Sequence, residues 1–255
     1  MDNIIQKELN LAKEKMIEEV CYDGKFIAKL TSNNVALVEA MLRNDATYIK
    51  STDIKAAPKF NKKNKEIYGG SSAYWMTLLK NVLIENKDVE YTYERIIRGA
   101  VEAVDRENST HLNADNCGRE EIINRICKFD RTELVKCLMD PEYENMKLIC
   151  EIARVTSAKS RARRNLSFAS KFCHYACFYI FENTEYQDNY PIYDNILRTV
   201  LPTYIEYYRI PNDDYNLTDY GQYRNAVDKI RNISGIEISR NGFDHLLWYY
   251  HKGRI

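Results

Sequence analysis

The chain has 255 residues, 45% of them hydrophobic, with 37 basic against 37 acidic side chains and no net charge. That is enough apolar material for one large domain or two small lobes, and it excludes a uniformly basic nucleic-acid binder. No apolar run approaches the roughly 20 residues of a membrane span, and the polar start "MDNIIQKELN" is not a signal peptide, so a cytoplasmic protein with no membrane partner is expected.

Ile5, Leu9, Met16 and Val20 keep a helical period and predict a first amphipathic helix; Val35, Leu37, Val38 and Met41 predict a second. "GKFIAKL" (24–30) predicts a short strand. Residues 56–70, with Pro58 and "FNKKNKEIYGG", predict an exposed loop or linker. "GGSS" then supplies a turn and a cap for a third helix carrying Trp75, Leu78, Leu79, Val82 and Leu83. Ile96, Ile97, Ala100, Val101 and Val104 give a fourth, Ile122, Ile123 and Ile126 a fifth, and Leu134, Val135 and Leu138 a short sixth with Thr132 as its cap.

Met146, Ile149, Cys150 and Ala153 mark a seventh helix, ending near Val155 or Thr156. A basic turn, "SAKSRARRN", follows, and Ser167 is placed to cap an eighth helix with Phe168, Phe172, Tyr175, Ala176 and Tyr179. Further helices are predicted near 195–208, 219–233 and 239–250, the first interrupted or kinked at Pro202. The expected fold is mostly α: one domain over 1–255, with two helical lobes of approximately 1–140 and 141–255 and a cleft between them.

The seven cysteines are scattered with no CxxC pair, and none of the four histidines lies in HExxH. Reduced thiols are expected, with no metal and no cofactor. Charge is unevenly spread. Residues 152–181 hold Arg154, Lys159, Arg161, Arg163, Arg164 and Lys171 with no acid, and 54–65 hold Lys55, Lys59, Lys62, Lys63 and Lys65 with none. Residues 182–219 reverse the sign, with eight acids against Arg198 and Arg209. Two basic patches on a neutral chain can form a localised phosphate-binding face.

One stretch concentrates chemistry: helix, basic turn, helix with Lys171, acidic loop, then Asp194 after "YPIY". Taken singly, a lysine on such a helix reads as a snorkelling surface residue, and an aspartate there as an N-cap worth about 1 kcal/mol. Taken in order beside the basic turn, they also read as an amine nucleophile and a carboxylate. His174 fits a satisfied structural histidine as well as a catalytic one.

"LSFASKFCHY" (166–175), "YPIYDN" (190–195), "YRNAVDKI" (223–230) and "DHLLWYYHKG" (244–253) resemble the helix–hairpin–helix DNA glycosylases, in particular their bacterial and archaeal 8-oxoguanine glycosylase-like branch. The resemblance covers roughly 140–255; the first half matches only in helical character. It implies a base-excision glycosylase with possible AP-lyase activity. Lys171 matches the lysine that attacks the sugar, and Asp194 the aspartate past a Pro-containing loop. The partner it implies is double-stranded DNA with a flipped base, the protein a nucleoid-associated monomer. The substrate is a damaged or modified base, an oxidised purine first. A bacterial anti-phage enzyme excising hypermodified, for example glucosylated, cytosine is the other reading within this class; a non-catalytic helical nucleic-acid-binding module and a helical protein–protein adaptor whose charge blocks pair with each other are the readings outside it.

The chemistry agrees with these roles. Cleaving an N-glycosidic bond develops oxocarbenium charge at C1′, which a carboxylate stabilises. Lysine attacks only as the neutral amine, which Phe168, Phe172 and Tyr175, a helix N-terminus and nearby arginines are expected to favour. Where the family carries a Gly-rich hairpin turn, this chain has none, so phosphate contact falls to Lys159, Arg161, Arg163 and Arg164. Tyr175, Tyr190, Tyr193, Trp248, Tyr249 and Trp75 are candidates for stacking on an extruded base, although aromatics at helical spacing are more often core.

Overall fold

The computed structural model describes residues 17–40, 59–60, 66–68, 70–108, 110, 112, 118–156, 162–211, 215–253 and 255. The described part is mostly helical, and none of its helices is long and apolar enough to cross a membrane. The chain divides into two compact units: a split unit joining Met1–Tyr48 to Pro191–Ile255, and a continuous unit, Ile49–Tyr190.

In the split unit, strands β1 (Glu19–Tyr22) and β2 (Lys25–Ala28) pair antiparallel. Asp23 and Gly24 both take positive φ, 48° and 71°, as a tight two-residue hairpin turn requires. The expected strand over 24–30 is therefore present. Val20, expected on the first helix, instead pairs with Ile27 in β1, and the rest of that helix lies outside the described residues. Helix α1 covers residues 32–40.

The continuous unit opens with two short antiparallel strands, β3 (Lys59–Phe60) and β4 (Glu66–Tyr68), within the expected linker. Of the lysines over 54–65, Lys59 falls in β3 and the others lie outside the described residues. Helix α2 (Ser72–Leu83) starts where "GGSS" predicted, with Ser71 accepting from the Tyr74 amide. Helices α3 (Tyr93–Asn108), α4 (Gly118–Ile126), α5 (Arg131–Met139) and α6 (Tyr143–Ala153) follow. Asp130, not Thr132, caps α5; it immediately precedes the first helical residue, whereas Thr132 lies inside the first turn, and it receives the Glu133 amide at 2.8 Å.

Strands β5 (Arg154–Thr156) and β6 (Ala162–Arg164) form an antiparallel hairpin leading into α7 (Leu166–Ile180). Helix α7 is the core of this unit: Phe168, Ala169, Phe172, Cys173, Ala176 and Cys177 are fully buried, and α2, α3, α5 and α6 all pack on it. Burying six such side chains contributes on the order of 10 kcal/mol before entropy is set against it. A lobe boundary near 140 is not where the chain divides, because α5 and α6, on either side of it, both pack on α7.

The split unit resumes with α8 (Asn195–Tyr207), α9 (Tyr220–Ser234) and α10 (Arg240–His251). Helix α8 runs through Pro202 rather than stopping there. Proline removes one backbone donor, which costs about 3 kcal/mol in a helix interior, but Leu197, Leu201, Tyr204 and Ile205 bury the stripe on both sides of it. Gly235 ends α9 in the left-handed conformation, φ 68°, and Ser239 caps α10.

Candidate active site

Asn165, not Ser167, caps α7: its Oδ1 accepts the Phe168 amide at 3.1 Å. Both residue types cap well, and the hairpin decides between them. Strand β6 ends at Arg164, and the Asn165 amide bonds the Ala153 carbonyl at 2.7 Å, which leaves the next residue to begin the helix. Lys171 then falls in the second turn and is the one residue among the lysine, arginine, aspartate and glutamate types in α7. It is half-buried, on a stripe shared with Ser167, Tyr175 and Phe178 at helical spacing. Phe168 and Phe172, expected to enclose the amine, are fully buried in the core of the unit, so the aromatic neighbour on the lysine's own stripe is Tyr175. The Tyr175 hydroxyl donates to Asn108 Oδ1 at 3.2 Å, and its ring lies parallel to Tyr179 with centroids 6.4 Å apart.

Of the expected basic turn, Ala162–Arg164 form β6, paired with β5. Their register sets Arg154 opposite Arg164 and Val155 opposite Arg163. Lys159 and Arg161 lie outside the described residues.

His174, also on α7, is buried and stands 3.1 Å through Nδ1 from the Tyr190 carbonyl. A carbonyl only accepts, so Nδ1 carries the proton. Burial pushes this histidine down to about 4, against the opposing pull of that bond, which favours the neutral ring at physiological pH.

Asp194 belongs to the split unit and caps α8: its Oδ1 accepts the Ile196 amide at 2.7 Å. It is half-buried and forms no ion pair among the described residues. The segment before it is held from α9. The Tyr220 hydroxyl donates to the Pro191 carbonyl and the Tyr223 hydroxyl to the Ile192 carbonyl, each at 2.7 Å. Tyr193 meets the Tyr223 ring edge-on at 5.0 Å. Tyr223 is fully buried; burial first, then the Asp244 and Asp194 carboxylates, push its pKa well above 10, so it stays a donor. Tyr220, Tyr223 and the buried Asp244 were not among the residues expected at the site. The spacing in "YGQY", two tyrosines on one helix face, is the signal that was there to be read.

The other aromatic candidates separate. Trp75 is fully buried against Gly99, Tyr74 and Tyr91, with the Arg95 guanidinium 4.9 Å over its ring. Tyr190 is 1% exposed and donates to the Cys137 carbonyl at 2.6 Å. Both side chains are thus covered in this structure. Trp248 and Tyr249 are half-buried on α10 and meet edge-on at 5.3 Å. Thus Lys171 and Tyr175 share a stripe in the continuous unit, Asp194 and Tyr193 share a clamped segment in the split unit, and the lysine and aspartate are divided between the units. No group of side chains able to hold a metal ion occurs among the described residues. No protein-family model, curated protein or solved structure matches the chain.

Proposed function

We propose that the protein is a DNA N-glycosylase with AP-lyase activity, in which Lys171 is the nucleophile and Asp194 the carboxylate that stabilises the developing sugar cation. The observation that carries this reading is the placement of Lys171: the one lysine of a helix with no arginine or acid, half-buried on the stripe of Tyr175, after a strand pair that sets arginine opposite arginine. The neutral amine attacks C1′, the N-glycosidic bond breaks, and the base leaves with the bonding pair and takes up a proton. The amine nitrogen loses its protons as the sugar ring opens to a Schiff base. Loss of a C2′ proton then expels the 3′ phosphate by β-elimination. Asp194 suits its role because its carboxylate is fixed before substrate arrives, and preorganised charge is what stabilises a cationic transition state.

Tyr175 is the stacking residue on the lysine's stripe, and Arg154, Arg163 and Arg164 supply phosphate contacts. The resemblance favours an oxidised purine, with hypermodified cytosine of phage DNA as the second substrate class; the glycosylase-like two-lobed architecture with a cleft belongs to the same proposal.

Borohydride trapping on duplex DNA with an abasic site tests the lysine. A covalent adduct in the wild type that is absent in Lys171→Ala supports the lyase; an adduct that persists in the variant removes Lys171 from the role. Base release from a panel of oxidised and glucosylated duplexes identifies the substrate. If DNA binds but the wild type releases no base from any of them, the chain is a binding module instead.

A further inference from the structure

We propose that Tyr220 and Tyr223 are positioning residues for Asp194, acting through the two peptide carbonyls that precede Tyr193. The inference rests on the reading of Asp194 as the working carboxylate and says how this chain holds it in place.

Residues 191–194 have no regular secondary structure, so no ladder of backbone hydrogen bonds fixes them. Pro191 and Ile192 are buried, and buried carbonyls need donors. Both donors are phenol hydroxyls from one face of α9, three residues apart, each at 2.7 Å. The rings also pack on each other, with centroids 6.1 Å apart, and Tyr223 takes the edge of Tyr193. The chain is therefore pinned at two successive peptides before Asp194, and the cap bond to Ile196 fixes the carboxylate itself. Asp194 is held from both sides by groups that need not move when substrate binds, which is how a first-rank carboxylate is kept within about 0.5 Å of working geometry.

The arrangement needs hydroxyls, not merely rings. Phenylalanine would keep the burial of either tyrosine and the edge contact to Tyr193 while removing the pin. Tyr223 sits between two carboxylate fields, those of Asp194 and Asp244, and is buried as well, so its proton remains on the hydroxyl through the working pH range.

The test uses Tyr220→Phe, Tyr223→Phe and the double variant in the full chain, with two independent readouts. The first is hydrogen exchange at the Ile196 amide, the donor to Asp194, which needs no activity. Exchange is expected to speed up about 5-fold in each single variant, the effect of losing one buried hydrogen bond, while amides in the middle of α9 and α10 keep their rates. The second is single-turnover base release against duplex affinity: the rate is expected to fall about 10-fold, with Kd unchanged within about 2-fold. Unchanged Ile196 exchange in both single variants overturns the proposal, as does a uniform speeding of exchange across the split unit, which marks a merely structural role. If the wild type itself releases no base, the glycosylase reading fails by its own readout. The Ile196 amide still decides whether the tyrosines place Asp194.

Discussion

Gly99 lies so close against Trp75 that a Cβ on residue 99 would stand 2.1 Å from the indole. The nearest atoms belong to a fully buried ring, itself flanked by Tyr74 and Tyr91, so it has little room to shift. Gly99→Ala is expected to destabilise the continuous unit by about 3 kcal/mol, the upper range for overpacking. Urea unfolding followed by tryptophan fluorescence measures it. A midpoint within error of the wild type would show that α2 and α3 can separate at no cost.

Local signals in the sequence were legible and long-range ones were not. Ser71 and Asp194 announce helix starts because a cap bonds an amide two or three residues ahead. The partner of β2 was hidden, because Val20 also fits the helical period of Ile5, Leu9 and Met16, and only its pairing with Ile27 decides otherwise. The α7 start turned on whether Asn165 or Ser167 capped, which depends on a hairpin that periodicity does not reveal. Tyr220 and Tyr223 act on carbonyls 29 and 31 residues away, beyond any window used to read a motif. The burial of Trp75 and Tyr190 was not legible either, because the sequence does not say which faces of an aromatic residue are covered.

Asp105 at the end of α3 predicts acid lability. It is buried and accepts from the Thr110 hydroxyl at 2.6 Å, the Leu112 amide at 3.0 Å and Arg119 at 2.8 Å. Burial alone would raise its pKa; those three donors outweigh burial and hold it below its ordinary 3.8. A depressed carboxylate contributes stability that is present above its unfolded pKa and lost as pH falls through the folded one, so the loss begins near pH 4 and continues below it. Asp105→Asn is expected to cost about 3 kcal/mol at pH 7, since it leaves Arg119 without its charge partner, and to flatten stability against pH below 4. Denaturant midpoints from pH 2.5 to 7 check both.

His174 acts in a higher window. Its folded value, about 4, lies below the unfolded 6.5, so the unfolded chain binds the extra proton between them and stability falls as pH drops from 6.5 towards 4. The span corresponds to about 3 kcal/mol. His174→Asn keeps a donor near the Tyr190 carbonyl and does not titrate. Its stability is expected to change less than that of the wild type between pH 7 and pH 4.5; equal slopes would mean that the ring reaches water.

Glu144, Asn145 and Met146 in the first turn of α6 all have left-handed backbones, with φ of 46°, 59° and 62°. An ordinary side chain in that conformation costs roughly 1–2 kcal/mol, asparagine least among them, and a β-branched one more. Asn145 is exposed, so substitutions there report the backbone rather than packing. The expected order of thermal stability is Gly, then Asn, Ala and Val, spanning about 2 kcal/mol. A valine variant as stable as asparagine would mean that this turn relaxes to an ordinary helix.

The β5–β6 hairpin gives the prediction closest to function. Its register puts Arg154 and Arg164 at one cross-strand position and Arg163 at the next, on the segment that leads into the helix bearing Lys171. Like charges at paired positions do nothing for the hairpin itself, since opposed like charges destabilise a strand pair. They do suit a phosphate backbone, where each contact releases counterions and adds about 0.9 to the slope of log affinity against log salt. Replacing Arg163 and Arg164 by glutamine is therefore expected to weaken duplex binding at low salt and to reduce that slope by about 2, alike for lesion-bearing and undamaged duplexes. Such contacts hold the backbone and read no base, so the ratio of rates between substrates should stay as it is. Fluorescence anisotropy over a salt series measures the slope. A slope unchanged in the double variant would take the hairpin out of the proposed DNA interface and remove the phosphate grip proposed beside Lys171.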